Sequence, residues 1–397
     1  MDRCRTETPD SYASRAQIPR PLALDSVAAG SSETAESMKR RVLASVPGKL
    51  ILMGEHAAVY GRPALVSAVG PRAFVSVGSS RGKTVIDLPN LERRSETCWR
   101  ELFALAETAS SRWAEYSREP TPDRFRELGT DTPEHLVAIA LGEVSRELGS
   151  VDLPEVEVRV ESKLPIGSGF GSSAATAVAV IGAMLAFLEL EVEEERIDRL
   201  AFEVERRQHG FPSGVDHKTV IHGGVLWARR SDQGSLEVEP LGLRPERLAD
   251  LLVYQTGRPR ESTGEVVAAV KRLASDEPVE FERRLDVMER CVDTLREYLC
   301  GSDAQSDVLR SVMQSYEKCL EELGVVPKPI GSVVRAIELT GGAAKISGAG
   351  ALSGSSAGCL LVQPADGPTA MLPDELRAYE RQTVDLGDEG FRIEEIE

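Results

Sequence analysis

A glycine- and serine-rich run, Gly167-Ser168-Gly169-Phe170-Gly171-Ser172-Ser173, stands between a segment that reads as a strand and one that reads as a helix. Glycine tolerates positive φ and close approach, so successive N–H groups in such a loop can converge on an anion. The helix that follows brings its unpaired N–H groups and the positive end of its dipole to the same place. The hydroxyls of Ser172 and Ser173 can donate to phosphate or coordinate a magnesium ion. Two other phosphate loops fail on spacing. No lysine precedes the serines as GxxxxGK[ST] requires, and Ser172 stands where GxGxxG needs its third glycine. The alternative is a flexible connector, and the apolar run from Ala174 to Leu188 directly after the loop weighs against it.

Phosphoryl transfer asks a protein for charge neutralisation, a bound metal and a group that orients or deprotonates the acceptor hydroxyl. Candidates for those tasks lie elsewhere in the chain. Glu205 falls on a helix ending at Gly210, and Asp216 follows in HGFPSGVDH, where glycine and proline punctuation places it on a turn. Read alone, such an aspartate is a turn former. Lys49 follows Pro47-Gly48 at the start of an apolar strand, which constrains its stem; the competing reading is a solvated lysine. Thr256, Arg258 and Arg260 follow a second strand and could meet a carboxylate, since arginine suits two-point capture, or could simply form a polar loop.

The elements that must hold these groups can be outlined from periodicity. VLASV leading into PGKLILM, then PALVSAV and AFVSVGS, read as strands from their β-branched content. Between residues 81 and 150 the apolar spacing is helical, with a polar loop in REPTPDRFRELGTDTP. VEVRVES, residues 156–162, alternates like a half-buried strand, and residues 193–210 form a charged amphipathic helix. GGVLWARR and LADLLVYQTG read as strands, STGEVVAAVKRLASD and FERRLDVMERCVDTLREYL as helices, and AAKISGAGALSGSSAGCLLVQP as strand, glycine turn and strand. Strands and helices alternate in both halves, which predicts an α+β chain of two layered domains sharing a cleft. The expected division is a mobile tail over 1–40, rich in Ser, Ala, Pro and Thr, then domains over 41–225 and 226–397.

Taken together, PGKLILMGEHAAVYGRPAL, LPIGSGFGSSAA, ERRQHGFPSGVD and KISGAG occur in the order of the GHMP kinases, over about residues 42–365. Within that superfamily HGFPSGVD and YQTGRPRESTGEVV are most similar to the mevalonate-type branch. The resemblance implies a two-domain fold with the active site in the cleft, and ATP-dependent phosphorylation of the 5-hydroxyl of mevalonate. It implies that Pro165 and the loop from Gly167 through Ser168, Gly169, Phe170, Gly171 and Ser172 to Ser173 cradle the triphosphate. It implies further that Ser173 and Glu205 are the Mg2+ ligands. By the same resemblance, Asp216 is expected to accept the hydroxyl proton, and Lys49 to pair with that aspartate and offset charge during transfer. Glu55, His56, Thr256 and Gly348 match positions near the substrate; for His56 a core histidine bonded to backbone is the competing reading.

The chain departs from the family pattern in places. Eight residues, Ala351 to Gly358, separate Gly350 from Cys359, which is itself expected in a packed strand. His217 follows Asp216 where an asparagine is more usual, and either tunes the aspartate or faces solvent. The 81–150 region matches none of the motifs. A phosphorylated acceptor such as phosphomevalonate needs further cations, for which Lys163, Lys218 and Lys345 lie near the motifs. A 3-hydroxyl kinase is a further alternative. A decarboxylating relative is expected to lack the Lys49 equivalent, and a silent ligand sensor to lack Lys49, Glu205 or Asp216; all are present.

Composition narrows the partners. With 47 basic and 64 acidic residues the net charge is −17, which opposes a general grip on nucleic acid. The longest apolar run has 15 residues, short of the about 20 needed to span a membrane. Six scattered cysteines with no CxxC pair, and a start lacking an apolar signal core, point to the cytoplasm. A small-molecule substrate is expected, and a homodimer is left open.

Overall fold

The computed structural model describes residues 40–119, 121, 124, 127–128, 132–165, 169–209, 212–231, 234–242, 247–301, 306–365 and 372–396. The expected tail over 1–40 therefore lies outside the described residues, apart from Arg40. Two sheets carry the fold. Strands β1 (Arg41–Met53), β2 (Ala64–Ser79), β3 (Thr84–Leu88), β4 (Arg93–Thr97) and β5 (Val156–Ser162) begin a nine-stranded sheet with the path β13-β1-β2-β5-β3-β4. Strands β6 (Val225–Arg230), β7 (Leu236–Pro240), β12 (Asp385–Leu386) and β13 (Arg392–Ile396) complete it. The second sheet has four strands in the order β11-β8-β10-β9, with β8 at Leu252–Gly257, β9 at Ala343–Ser347, β10 at Gly358–Gln363 and β11 at Glu380–Gln382. The α+β architecture expected from the sequence is the one observed.

The strand alternation of VEVRVES is obeyed: Val156, Val158 and Val160 face the core of β5. The two short strands expected over residues 63–79 are instead one, β2. It passes Gly70-Pro71 because the pairing jumps from Pro47–Arg72 to Gly48–Val69, leaving those two residues out of the ladder with β1. A proline without an N–H is tolerated at such a bulge. The bulge falls one residue before Lys49. The hairpin β3–β4 lies where only helices were expected. Its strands are five residues each, and β4 is the charged edge RRSET, so no apolar period marks it.

Helix α1 (Trp99–Arg118) and α2 (Pro133–Leu148) follow the expected helical spacing. Helix α3 (Ser172–Phe187) is buried on nearly every side, as an all-apolar helix of small residues must be, and it packs on β1 and β2. Helix α4 (Glu194–His209) precedes α5 (Val215–His222). Asp216 thus sits in the first turn of a helix, where the sequence placed it on a turn; Gly214, with φ of +81°, caps the helix and lets the chain enter it. In the second half come α6 (Thr263–Asp276), α7 (Pro278–Cys300), α8 (Ser306–Glu322) and α9 (Lys328–Leu339), the last two not singled out from sequence.

The two sheets do not divide at residue 225. Strand β6 begins at that residue and β7, β12 and β13 follow it, and all four belong to the larger sheet. The C-terminal segment straps that sheet, β13 pairing with β1 and Phe391 donating its N–H to Ile221 O of α5 at 3.0 Å. Buried Arg72 ties the strap down. Its guanidinium donates to Asp388 Oδ2 at 2.9 Å, Glu389 O at 2.6 Å, Gly390 O at 2.7 Å and both oxygens of Ser45. Arg72→Ala leaves several buried acceptors unpaired and is expected to cost about 3 kcal/mol in urea unfolding; a loss under about 1 kcal/mol would show that the strap is held by its strand pairing alone.

Candidate active site

Lys49 and Asp216 meet. Lys49 Nζ lies 3.1 Å from Asp216 Oδ2, with the lysine side chain 7% exposed and the aspartate 35%. The lysine is fixed along its length. Its own N–H donates to Phe170 O at 2.9 Å, so β1 is stitched to the glycine loop at this residue. Gly171, at φ of +67°, lies so close that a Cβ there would sit 2.6 Å from Lys49 Cγ. Gly48 is crowded likewise, by Leu164 and by Phe170 O. The Pro-Gly-Lys sequence therefore supplies a lysine whose stem is clamped beneath the loop. On the other side, Ser213 Oγ accepts from Val215 N at 3.3 Å and Arg230 donates to Ser213 O at 2.9 Å, holding the start of α5.

Of the expected phosphate loop, Gly167 and Ser168 lie outside the described residues, while Pro165 and Gly169 to Ser173 lie within them. Phe170 is buried and anchors the loop, and Gly171 caps α3 with no side-chain bond to the helix N–H groups and no acidic residue in the first turn. The positive end of α3 is thus open toward an anion, with Ser172 and Ser173 on its first turn, both partly exposed. Gly169, at φ of +87°, faces Ser347 O at the end of β9, so the loop from the first sheet and the turn after β9 adjoin.

Glu205 is buried on α4 and lies 3.0 Å from His217 Nδ1. His217 faces neither solvent nor the aspartate beside it in sequence. Its Nε2 lies 3.0 Å from Asp198 Oδ1, and Asp198 in turn takes Lys218 Nζ at 2.7 Å. Burial works to lower the imidazole's pKa, but the Asp198 and Glu205 carboxylates outweigh it and push it up to about 9. The departure at residue 217 thus places a cation against Glu205.

The weaker substrate candidates fare differently. Glu55 has its side chain 1% exposed and receives Lys345 Nζ at 2.6 Å. His56 is buried and its Nε2 donates to Ala349 O at 3.0 Å, which agrees with the backbone-bonded alternative. Its backbone, at φ 59° and ψ −46°, closes a strained three-residue turn in which Ala57 N donates to Glu55 O. Thr256 is buried, donating to Gly358 O and accepting from Ala357 N, both at 2.8 Å. Its hydroxyl closes the base of the 351–358 loop, whose far side is held by Glu261 through Ser353 Oγ at 2.6 Å. Arg258 and Arg260 are exposed, and Arg260 passes beside Gly354. Gly348, at φ of +103°, has open space where a Cβ would stand. Cys359 is buried in β10, where burial pushes its thiol up to about 12.

Sequence reasoning did not find Glu317 and Tyr316 of α8. Tyr316 donates to Glu55 O at 2.9 Å, and Glu317 Oε2 accepts from Ile346 N at 3.0 Å. Burial pushes the Glu317 carboxyl up to about 8, with the Ile346 N–H and Lys345 opposing it. No spacing signal could mark them, because an apolar helix face with one acid and one tyrosine reads as an ordinary amphipathic pattern.

A lysine–aspartate pair beside a glycine loop and a helix N-terminus is the constellation of a phosphoryl-transfer site. The family model of the GHMP kinases N-terminal domain matches residues 135–224. The mevalonate kinase of Pyrococcus abyssi is 30% identical over 365 residues, covering 90% of this chain and 99% of that relative. In solved structures, a mevalonate kinase superposes with a TM-score of 0.70 at 18% identity, over 87% of this chain and 99% of the other. The phosphomevalonate kinase of Streptococcus pneumoniae superposes with a TM-score of 0.62 at 18% identity, over 87% and 99%. The fold and the site define a GHMP-type small-molecule kinase. More narrowly, the chain belongs to the mevalonate kinase family.

Two measurements probe this geometry. Gly171→Ala forces an unfavourable φ and displaces Lys49, and is expected to lower turnover at least about tenfold; unchanged turnover would show that the lysine's clamp is dispensable. Glu317 has a folded pKa of about 8 against an ordinary 4.5, so the stability it lends is complete below about pH 4.5 and is lost as pH rises toward 8. The melting temperature of Glu317→Gln should accordingly fall less between pH 5 and 8 than that of the parent. Parallel profiles would contradict the shift.

Proposed function

We propose that this kinase transfers the γ-phosphoryl group of ATP to the 5-hydroxyl of mevalonate. The observation that carries the proposal is the 3.1 Å Lys49–Asp216 pair, set beneath the glycine loop in a chain of this family. The triphosphate lies along the loop ending at Ser173, where the α3 N–H groups and dipole offset its charge. Asp216 accepts the proton of the acceptor hydroxyl, and Lys49 steadies the charge that builds during transfer. The Ser173 hydroxyl and Glu205 carboxylate are hard oxygen donors, the chemistry Mg2+ selects, and they would hold that ion. When bound it would neutralise phosphate charge. His217 pins Glu205 from behind. Location in the cytoplasm belongs to the same reading, supported by the lack of disulfides among the described residues. Among those residues, no helix is long and apolar enough to cross a membrane.

The main rival is a phosphorylated acceptor, which needs free cations in the cleft. Lys345 is spent on Glu55 and Lys218 on Asp198, and Lys163 lies over the Phe74 ring at 5.7 Å. This removes Lys345 and Lys218 as phosphate ligands and leaves exposed Arg258 and Arg260 as the candidates for the acceptor's anionic group, so the choice between the two acceptors falls to the assay below.

The deciding assay follows ADP release with mevalonate, phosphomevalonate, homoserine and galactose, then locates the new phosphate on the product. Turnover with mevalonate and a 5-phosphate is expected; selective turnover of phosphomevalonate, or a 3-phosphate, would overturn the assignment. Asp216→Asn should cut kcat about a thousandfold with nucleotide affinity within about threefold of the parent. Near-normal turnover in that variant would reject Asp216 as the base.

A further inference from the structure

Among the described residues, charges fully shut off from solvent lie away from the phosphate site, where the two sheets meet. Lys345 of β9 has no exposed side-chain surface, and its Nζ lies 2.6 Å from Glu55 Oε1, just past β1. The ammonium also donates to Ile346 O at 2.6 Å and lies 5.6 Å from the Tyr316 ring centroid. Burial raises the Glu55 carboxyl above its ordinary value, while Lys345 and the backbone N–H groups of Glu55 and Gly348 favour its charged form. Around this pair the same two segments are joined twice more. Ser347 Oγ donates to Ile51 O at 2.9 Å, and His56 Nε2 to Ala349 O at 3.0 Å.

Burying an ion pair is costly, and apolar side chains of like volume often serve stability as well or better. A charged pair supplies direction that an apolar pair does not: Glu55 Oε1 is fixed on the lysine of β9, and the same segment is bonded through His56 to Ala349 O of the turn that follows. That turn, residues 347–350, has positive φ at Gly348 and Gly350 and adjoins Gly169 of the phosphate loop. His56, in its strained turn, reaches the same turn from the Glu55 side.

We propose that Glu55, His56 and Lys345 form a latch that seats the 347–350 turn against the end of β1, and that this latch must stay closed for phosphoryl transfer. Glu55 and Lys345 are positioning residues that act through the turn and touch no ligand. The proposal rests on the kinase reading above for its activity arm only.

The test is the double variant Glu55→Gln/Lys345→Met, a neutral pair of similar volume. Steady-state kinetics with ATP and mevalonate is combined with amide hydrogen exchange of the full-length, ligand-free protein. The expected result is a melting temperature within about 5 °C of the parent, kcat lowered about tenfold or more with the KM for mevalonate changed less than about threefold, and faster exchange confined to residues 345–350. Parental kcat and exchange in the folded variant would overturn the latch. So would a fall in kcat without faster exchange, or a rise in KM at unchanged kcat, which would make the pair a ligand contact. Should the double variant not fold, Glu55→Gln alone, which keeps shape and an acceptor, is read with the same criteria. The exchange arm needs no substrate, so an inactive parent protein, which would sink the mevalonate reading, is distinguished from failure of the latch.

Discussion

An ammonium and a carboxylate held 3.1 Å apart at the edge of solvent form the contact on which the rest of this structure depends. Neither partner could hold the other unaided, because an exposed ion pair between mobile side chains has little value. Here the lysine pays its ordering entropy in advance. Its stem lies under Gly171, its N–H is bonded to Phe170 O, and the β1 bulge immediately before it sets where the strand turns. The aspartate is placed by a short helix whose start is capped by a left-handed glycine and whose end is bonded to the C-terminal strap. Preorganisation of this kind lets a fixed charge act on a transition state without first being rearranged.

Two layers of support surround that pair. One is ionic and lies behind Glu205, a relay from His217 to Asp198 to Lys218 that faces the carboxylate with a cation. The other is the junction of the two sheets, where Lys345, Glu55, Tyr316 and Glu317 are shut away from water. The first sheet brings Lys49 and the glycine loop, and the second brings the turn after β9. Their relative placement matters as much as either one alone, since an error of about 1 Å in a reacting geometry is costly in rate.

The sequence made the chemistry more legible than the architecture. Lys49, Asp216 and the glycine loop were readable because glycine and proline mark places where backbone must approach something closely, and Gly48 and Gly171 prove to be such places. The α3 helix and the strand at residues 156–162 were readable from their periods. The hairpin over residues 84–97 was not, because five-residue strands with a charged edge carry no period to detect. The return of residues 385–396 to the first sheet was hidden for a different reason: strand partnership across more than three hundred residues leaves no local trace. For Glu55 and Thr256, motif position does not reveal whether a polar side chain looks into a cleft or into the protein. Burial and partners decide that, and both residues are enclosed and bonded.

The central claim is that Lys49 and Asp216 act as one unit during transfer. A double-mutant cycle on kcat, comparing Lys49→Met, Asp216→Asn and the double variant, measures this most directly. The account predicts that the double variant is no slower than the worse single one, since either change already disables the unit. Losses that multiply independently would contradict it.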